Sequence, residues 1–178
     1  MNFDYNELEK IEDGLSNKLI YRKTEKENTK IIIDFSKDKQ EFKNLLKQKK
    51  LIHKTTFIGN IDIDKIPSIA TYANSLFLSL KDNEIFSKTV PAKLQTYMSL
   101  GKPIIAFLKG EGATIIKDAR CGIVEENNNY VELAKNINIF TKKLEIEFFE
   151  LGKNGKIYYE NHFNSELRKQ EILKIVYE

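Results

Sequence analysis

Lys93 falls in the first turn of a helix that opens after Val90-Pro91. A cation there opposes the helix dipole and becomes favourable when an anion sits at the helix end. A solvated surface lysine fits the same position, and both readings stay open. Gly110-Glu111-Gly112 lies between the apolar run Ile104-Ile105-Ala106-Phe107-Leu108 and a helix expected from Ala113. Glycines at such a turn let backbone approach a ligand closely, although a lone GxG is also an ordinary turn. Asp62-Ile63-Asp64 has the spacing of a metal-diphosphate chelate, but just ahead of a helix it reads better as an N-cap. His53 and His162 are far apart in sequence and without acidic or cysteine neighbours at ligand spacing, so no metal site is expected. Gly101-Lys102-Pro103 is not a phosphate loop, because the GxxxxGK[ST] frame is missing. No serine elbow and no Cys/His nucleophile pair is present. The basic run Lys47, Lys49, Lys50, His53, Lys54 reads as a solvated helix end rather than a nucleic-acid site.

Around these residues the pattern alternates between strand and helix. Pro91 suits a first helical position, Leu94, Tyr97 and Met98 recur at helical spacing, and Gly101 before Pro103 stops the helix. The run after Pro103 has the continuous apolar character of a strand buried on both faces. Upstream, residues 1–16 carry Leu8, Ile11 and Leu15 at helical spacing, and 18–22 and 30–35 read as strands. Ser36 can cap a helix with Phe42, Leu45 and Leu46 inward. A strand at 53–58 follows, then a turn at Gly59-Asn60. The next helix turns Ile66, Ile69, Ala70 and Ala73 inward, and a strand at 75–80 leads to a loop over 81–88. Downstream come a strand at 122–125 and helices over 130–143, 144–162 and 165–177.

A chain of 178 residues is one domain that can bury a real core. The hydrophobic share of 41% against 31% charged is that of an ordinary globular protein. Lys and Arg total 29 against 26 acids, a net charge of +3 that gives no case for nucleic acid. The single cysteine, Cys121, excludes a disulfide framework and suits a reducing cytosol. No apolar run approaches the roughly 20 residues of a membrane span, and the first residues do not form a signal peptide. Alternating strands and helices with right-handed crossovers give an α/β fold: a doubly wound, Rossmann-like parallel sheet, helices on both faces, and a helical C-terminal extension over 143–178. In such sheets ligands bind at the C-terminal ends of the strands.

The segment TVPAKLQTYMSLGKPIIAFLKGEGATIIKDARCGIV (residues 89–124) resembles the donor-binding half of retaining GT-B glycosyltransferases of group 1, especially the WbuB-like enzymes of bacterial surface-polysaccharide synthesis. The shared features are a Pro-x-Lys-x-x-x-Tyr-Met helix, Gly-Lys-Pro, an apolar strand, Gly-Glu-Gly and a later Cys-Gly turn. The resemblance covers about residues 30–175, taking in Phe57-Ile58-Gly59-Asn60, Gly152-Lys153-Asn154-Gly155, Tyr158-Tyr159 and His162-Phe163. It implies sugar transfer from a nucleotide-sugar, usually a UDP-sugar, with retention and without a metal cofactor. By position, Lys93 and the backbone around Ala92 would neutralise the diphosphate, and the 84–89 loop with Lys88 would approach sugar or phosphate. Gly110, Glu111 and Gly112 would line the donor pocket, Glu111 facing sugar hydroxyls. No residue is assigned the catalytic step.

Departures from the family pattern are informative. The pair of glutamates eight positions apart in many group 1 enzymes is replaced by Lys88 and Thr96, leaving Gln95 or Thr96 as ribose candidates. Asp34-Phe35-Ser36 stands where the family has Gly-Asp-Gly, and the glycine-rich loop and helix expected ahead of it are absent from the atypical segment 1–29. The chain has room for only the second of two Rossmann-like domains. The resemblance therefore implies a missing N-terminal acceptor-binding domain or subunit, a glycan or lipid-linked acceptor, little turnover by this half alone, and a cytoplasmic, peripherally membrane-associated enzyme. The family's last helices pack on that other domain, which would occupy the apolar stripe Leu167, Ile172, Leu173, Ile175, Val176. The alternative is a non-catalytic α/β module that binds a nucleotide or a partner and has kept only the fold.

Overall fold

The computed structural model describes residues 19–22, 30–33, 39–57, 63–80 and 84–177. Strands β1 (Leu19–Arg22), β2 (Lys30–Ile33), β3 (Thr55–Phe57), β4 (Ser75–Ser79), β5 (Ile104–Phe107) and β6 (Gly122–Glu125) form one sheet in the order β3-β2-β1-β4-β5-β6. Helices α1 (Lys39–Gln48), α2 (Ile66–Ala70), α3 (Glu84–Ser87), α4 (Ala92–Ser99), α5 (Glu111–Asp118), α6 (Tyr130–Phe140), α7 (Glu145–His162) and α8 (Ser165–Tyr177) complete the described chain. Helices cover both faces of the sheet, giving a Rossmann-like α/β fold with helices at its C-terminal end.

The parallel pairing expected from the sequence holds for β2 with β3 and for β4, β5 and β6. β1 departs from it, running antiparallel to both β2 and β4. The cause is connection length. A parallel neighbour needs a crossover of roughly a dozen residues or more, whereas only positions 23–29 separate β1 from β2.

Alternation along the strands divides the core. Leu76, Leu78, Ile104 and Ala106 face one side with Leu94, Met98, Ala113 and Ile116 of α4 and α5. Ile105 and Phe107 face the other, against Leu133 and Phe140 of α6. The start of α7 joins the second cluster through Phe148 and Leu151, and its end joins the first through Tyr158 and Tyr159. Between these ends α7 passes the edge where β5 and β6 begin. There Gly152 meets the Gly101 carbonyl, and the Asn154 Nδ2 donates to the Arg120 carbonyl at 3.3 Å.

Several boundaries shift for local reasons. Pro91 is the N-cap of α4 (φ −64°, ψ 129°), one place ahead of the expected first helical position. The span 81–88 contains the helical turn α3. His53 lies in a 3₁₀ turn ahead of β3, and the strand begins at Thr55. Asp64 does not cap α2: it sits within the 3₁₀ turn Ile63–Lys65, while Lys65 holds the cap position without a side-chain bond. Asp62, Ser36, the Gly59-Asn60 turn and the expected helix over 1–16 lie outside the described residues. The three C-terminal helices match the expected spans closely.

Candidate functional site

Three loops follow the C-terminal ends of β4, β5 and β6 and so share one edge of the sheet. α4 and α5 both start there and run back antiparallel to the strands. The N–H groups of their first turns therefore converge on this edge, those of Leu94 and Ala113 already donating to the Pro91 and Gly110 carbonyls.

Gly110 joins the two helix starts. Its φ of 77° and ψ of −144° belong to a region essentially reserved for glycine. A Cβ at this position would stand 2.0 Å from the Ser87 carbonyl oxygen. The Gly-Glu-Gly turn is thus seated directly on the end of α3. Gly112 continues the contact, since its Cβ would lie 3.2 Å from Pro91 Cδ. The backbones of the 84–91 segment and of residues 110–112 therefore lie against each other at this edge.

Among the side chains, Lys93 occupies the first turn of α4 and is half-buried, with Ala92 exposed ahead of it. Glu111 is exposed in the first turn of α5. Lys88 turns back along α3 and pairs with Glu84 at 2.6 Å, both side chains largely in solvent. Gln95 is half-buried one position past the first turn of α4. The Thr96 hydroxyl donates to the Ala92 carbonyl at 3.2 Å, so toward a ribose it can act only as an acceptor while that bond holds. His53 is exposed, and His162 stacks on Tyr158 with ring centroids 4.2 Å apart. Tyr158 has its phenol raised by burial and by the charges of Asp118 and Glu111.

One residue at this edge carried no sequence signal beyond its place at a strand end. Glu125 closes β6 and is buried at 6% exposure, its Oε1 accepting the Asn127 N–H at 2.9 Å. With Leu80, Phe107, Lys109 and Asn128 it lines a shallow depression of about 190 Å³ that is open to solvent.

Residues 16–156 match the family model described as glycosyl transferases group 1. The chain belongs to this family. The edge where α4 and α5 begin is the candidate functional site of this group 1 family chain. No curated protein matches the chain in sequence. Among solved structures it is similar to sucrose-phosphate synthase from Thermosynechococcus elongatus, with a TM-score of 0.65 and 19% identity. That likeness covers 82% of this chain and 38% of the synthase, so this glycosyltransferase chain spans well under half the length of its structural relative. At that identity the likeness concerns the fold.

Proposed function

We propose that this chain is the donor-binding half of a retaining glycosyltransferase that takes a UDP-sugar and works in bacterial surface-polysaccharide synthesis. The observation that supports the reading is the seating of Gly110 on Ser87, which brings the starts of α4 and α5 and the 84–93 segment to one edge. In transfer, the bond between the anomeric carbon and the diphosphate breaks and the acceptor hydroxyl takes its place. Negative charge builds on the departing UDP. Lys93 and the first-turn N–H groups of both helices are fixed before the reaction, so they stabilise that charge without reorganising. The Glu111 carboxylate accepts from sugar hydroxyls. Gln95, or Thr96 accepting from a ribose hydroxyl, contacts the ribose.

The acceptor, a glycan or lipid-linked glycan, binds a second domain or subunit, as the short span relative to the synthase suggests. The site needs no metal in this reading, and the assembled enzyme works at the cytoplasmic face of a membrane. A non-catalytic module is the competing reading. It is favoured by the depression beside Glu125, which is far too shallow to enclose a nucleotide-sugar.

Calorimetric titration with UDP decides between them. Saturable binding by the chain, weakened at least about tenfold in Lys93→Ala, is expected from loss of a charge-assisted contact. No binding by either protein, or equal binding by both, overturns the donor-site assignment.

A further inference from the structure

We propose that the opposite edge of the sheet, where the parallel strands begin, docks the domain onto an anionic lipid surface. The inference stands apart from the donor site and rests on where the topology gathers charge. Lys47 in the last turn of α1 is followed by Lys49, Lys50 and Lys54 in the connection to β3. The β1–β2 register places Arg22 opposite Lys30 at the same edge. Lys102 precedes β5 and Arg120 precedes β6. Lys153 and Lys156 are exposed on the part of α7 that crosses this edge. The α6–α7 turn adds Lys142 and Lys143 against Glu145 and Glu147, and the remaining carboxylates are Asp118 and Glu150. Among the described residues that is twelve cations against four acids, or +8, in a chain whose net charge is +3, which leaves −5 for everything else.

Helix dipoles account for part of this, since α1, α2, α4, α5 and α6 all end at this edge and cations suit their last turns. Lys54, Lys153 and Lys156 lie away from those helix ends, beyond the reach of the dipoles. Two backbones are also strained there. Lys50 (φ 55°) and Arg120 (φ 50°) occupy left-handed positions just past α1 and α5, where Gly or Asn is the low-energy choice. At both, a cation stands in that place.

Six strands at about 4.8 Å spread the charge over roughly 24 Å of sheet edge, a span suited to an extended anionic surface more than to one small anion. Tyr72, 63% exposed just past α2 on this edge, offers an aromatic ring of the kind that settles at headgroup level. Docked this way, the domain holds its C-terminal edge away from the lipid and open to a soluble ligand.

Co-sedimentation with vesicles of phosphatidylglycerol and phosphatidylcholine, against phosphatidylcholine alone, tests the proposal. Binding should require the anionic lipid and fall steeply with salt. Lys50→Glu combined with Lys153→Glu and Lys156→Glu should weaken it roughly a hundredfold, at about fivefold or more per lost cation. Should the Lys50 change disturb α1, Lys153→Gln with Lys156→Gln on the exposed face of α7 should still weaken binding at least tenfold. Equal sedimentation with both vesicle types, unchanged binding by folded variants, or tighter binding to duplex DNA than to the anionic vesicles would each overturn it.

Discussion

Cys121 shows how far a single residue's environment sets its chemistry. It is fully buried at the start of β6, its thiol directed at the Ile116 carbonyl 3.7 Å away. Burial pushes the thiol up to about 12 from an ordinary value of 9.0. The folded chain therefore keeps this proton at pH values where the unfolded chain has lost it. With fewer protons bound in the unfolded state, stability falls as pH rises between about 9 and about 12, by up to about 1.4 kcal/mol per pH unit. Chemical denaturation at pH 8 and pH 10.5 should show this loss in the native chain and a smaller one in Cys121→Ala. The native thiol should resist alkylation until the domain unfolds. The site residues were legible in the sequence to different degrees for similar reasons of environment. Lys93 and Gly110 were marked by position relative to strand ends, which local pattern reveals. The turning of Lys88 onto Glu84 and of Thr96 onto Ala92 depends on rotamers that no spacing encodes. Glu125 was missed because its burial is decided by the neighbouring strand and by the chain's turn at Asn127.

At the scale of elements, α7 is where side-chain absence matters most. Its interior carries Gly152, which by helix propensity alone is about 1 kcal/mol worse than alanine. Alanine there would place a Cβ 2.1 Å from the Gly101 carbonyl oxygen, a backbone atom that cannot swing aside. Gly152→Ala should therefore destabilise the domain by roughly 2–4 kcal/mol, against the propensity trend and in the range of overpacked cores. At Gly155 the added Cβ would meet Cys121 Cβ at 3.1 Å, a milder approach that a shift of a few tenths of an ångström relieves. Gly155→Ala should cost distinctly less, and thermal melts of the two variants give the order directly. Equal stability of Gly152→Ala and the parent would mean that α7 lies farther from the α4–β5 turn. The sequence gives the helix itself through its long span, but not this contact, because the partner carbonyl lies some fifty positions away. β1 is the reverse case. Its existence was readable from residues 18–22, and its direction follows from the short span to β2 once the missing crossover is recognised.

For the whole molecule, the division between a self-sufficient core and an unsatisfied surface follows from where apolar side chains end up. Both core clusters close without α8: the first ends at Phe163 and the second at Leu151. Yet α8 exposes Leu167, Ile172, Leu173, Ile175 and Val176, the last two at 79% and 66%. A helix of 13 residues with that much apolar surface in water gains little from packing and is marginal by itself. Its described tie to the body is polar, through the Arg168 guanidinium donating to the Asn161 carbonyl at 2.7 Å. Ending the chain after Asn164 should therefore leave the melting temperature within about 2 °C of the parent, since little apolar burial is lost. The truncated form should also self-associate less at high concentration, measured by sedimentation velocity. A drop of 8 °C or more would show that α8 is packed into the domain in solution and that its apolar stripe is already covered. An unchanged melt with weaker self-association would identify α8 as surface held for another chain or domain, as the proposed donor-binding half of a larger enzyme requires.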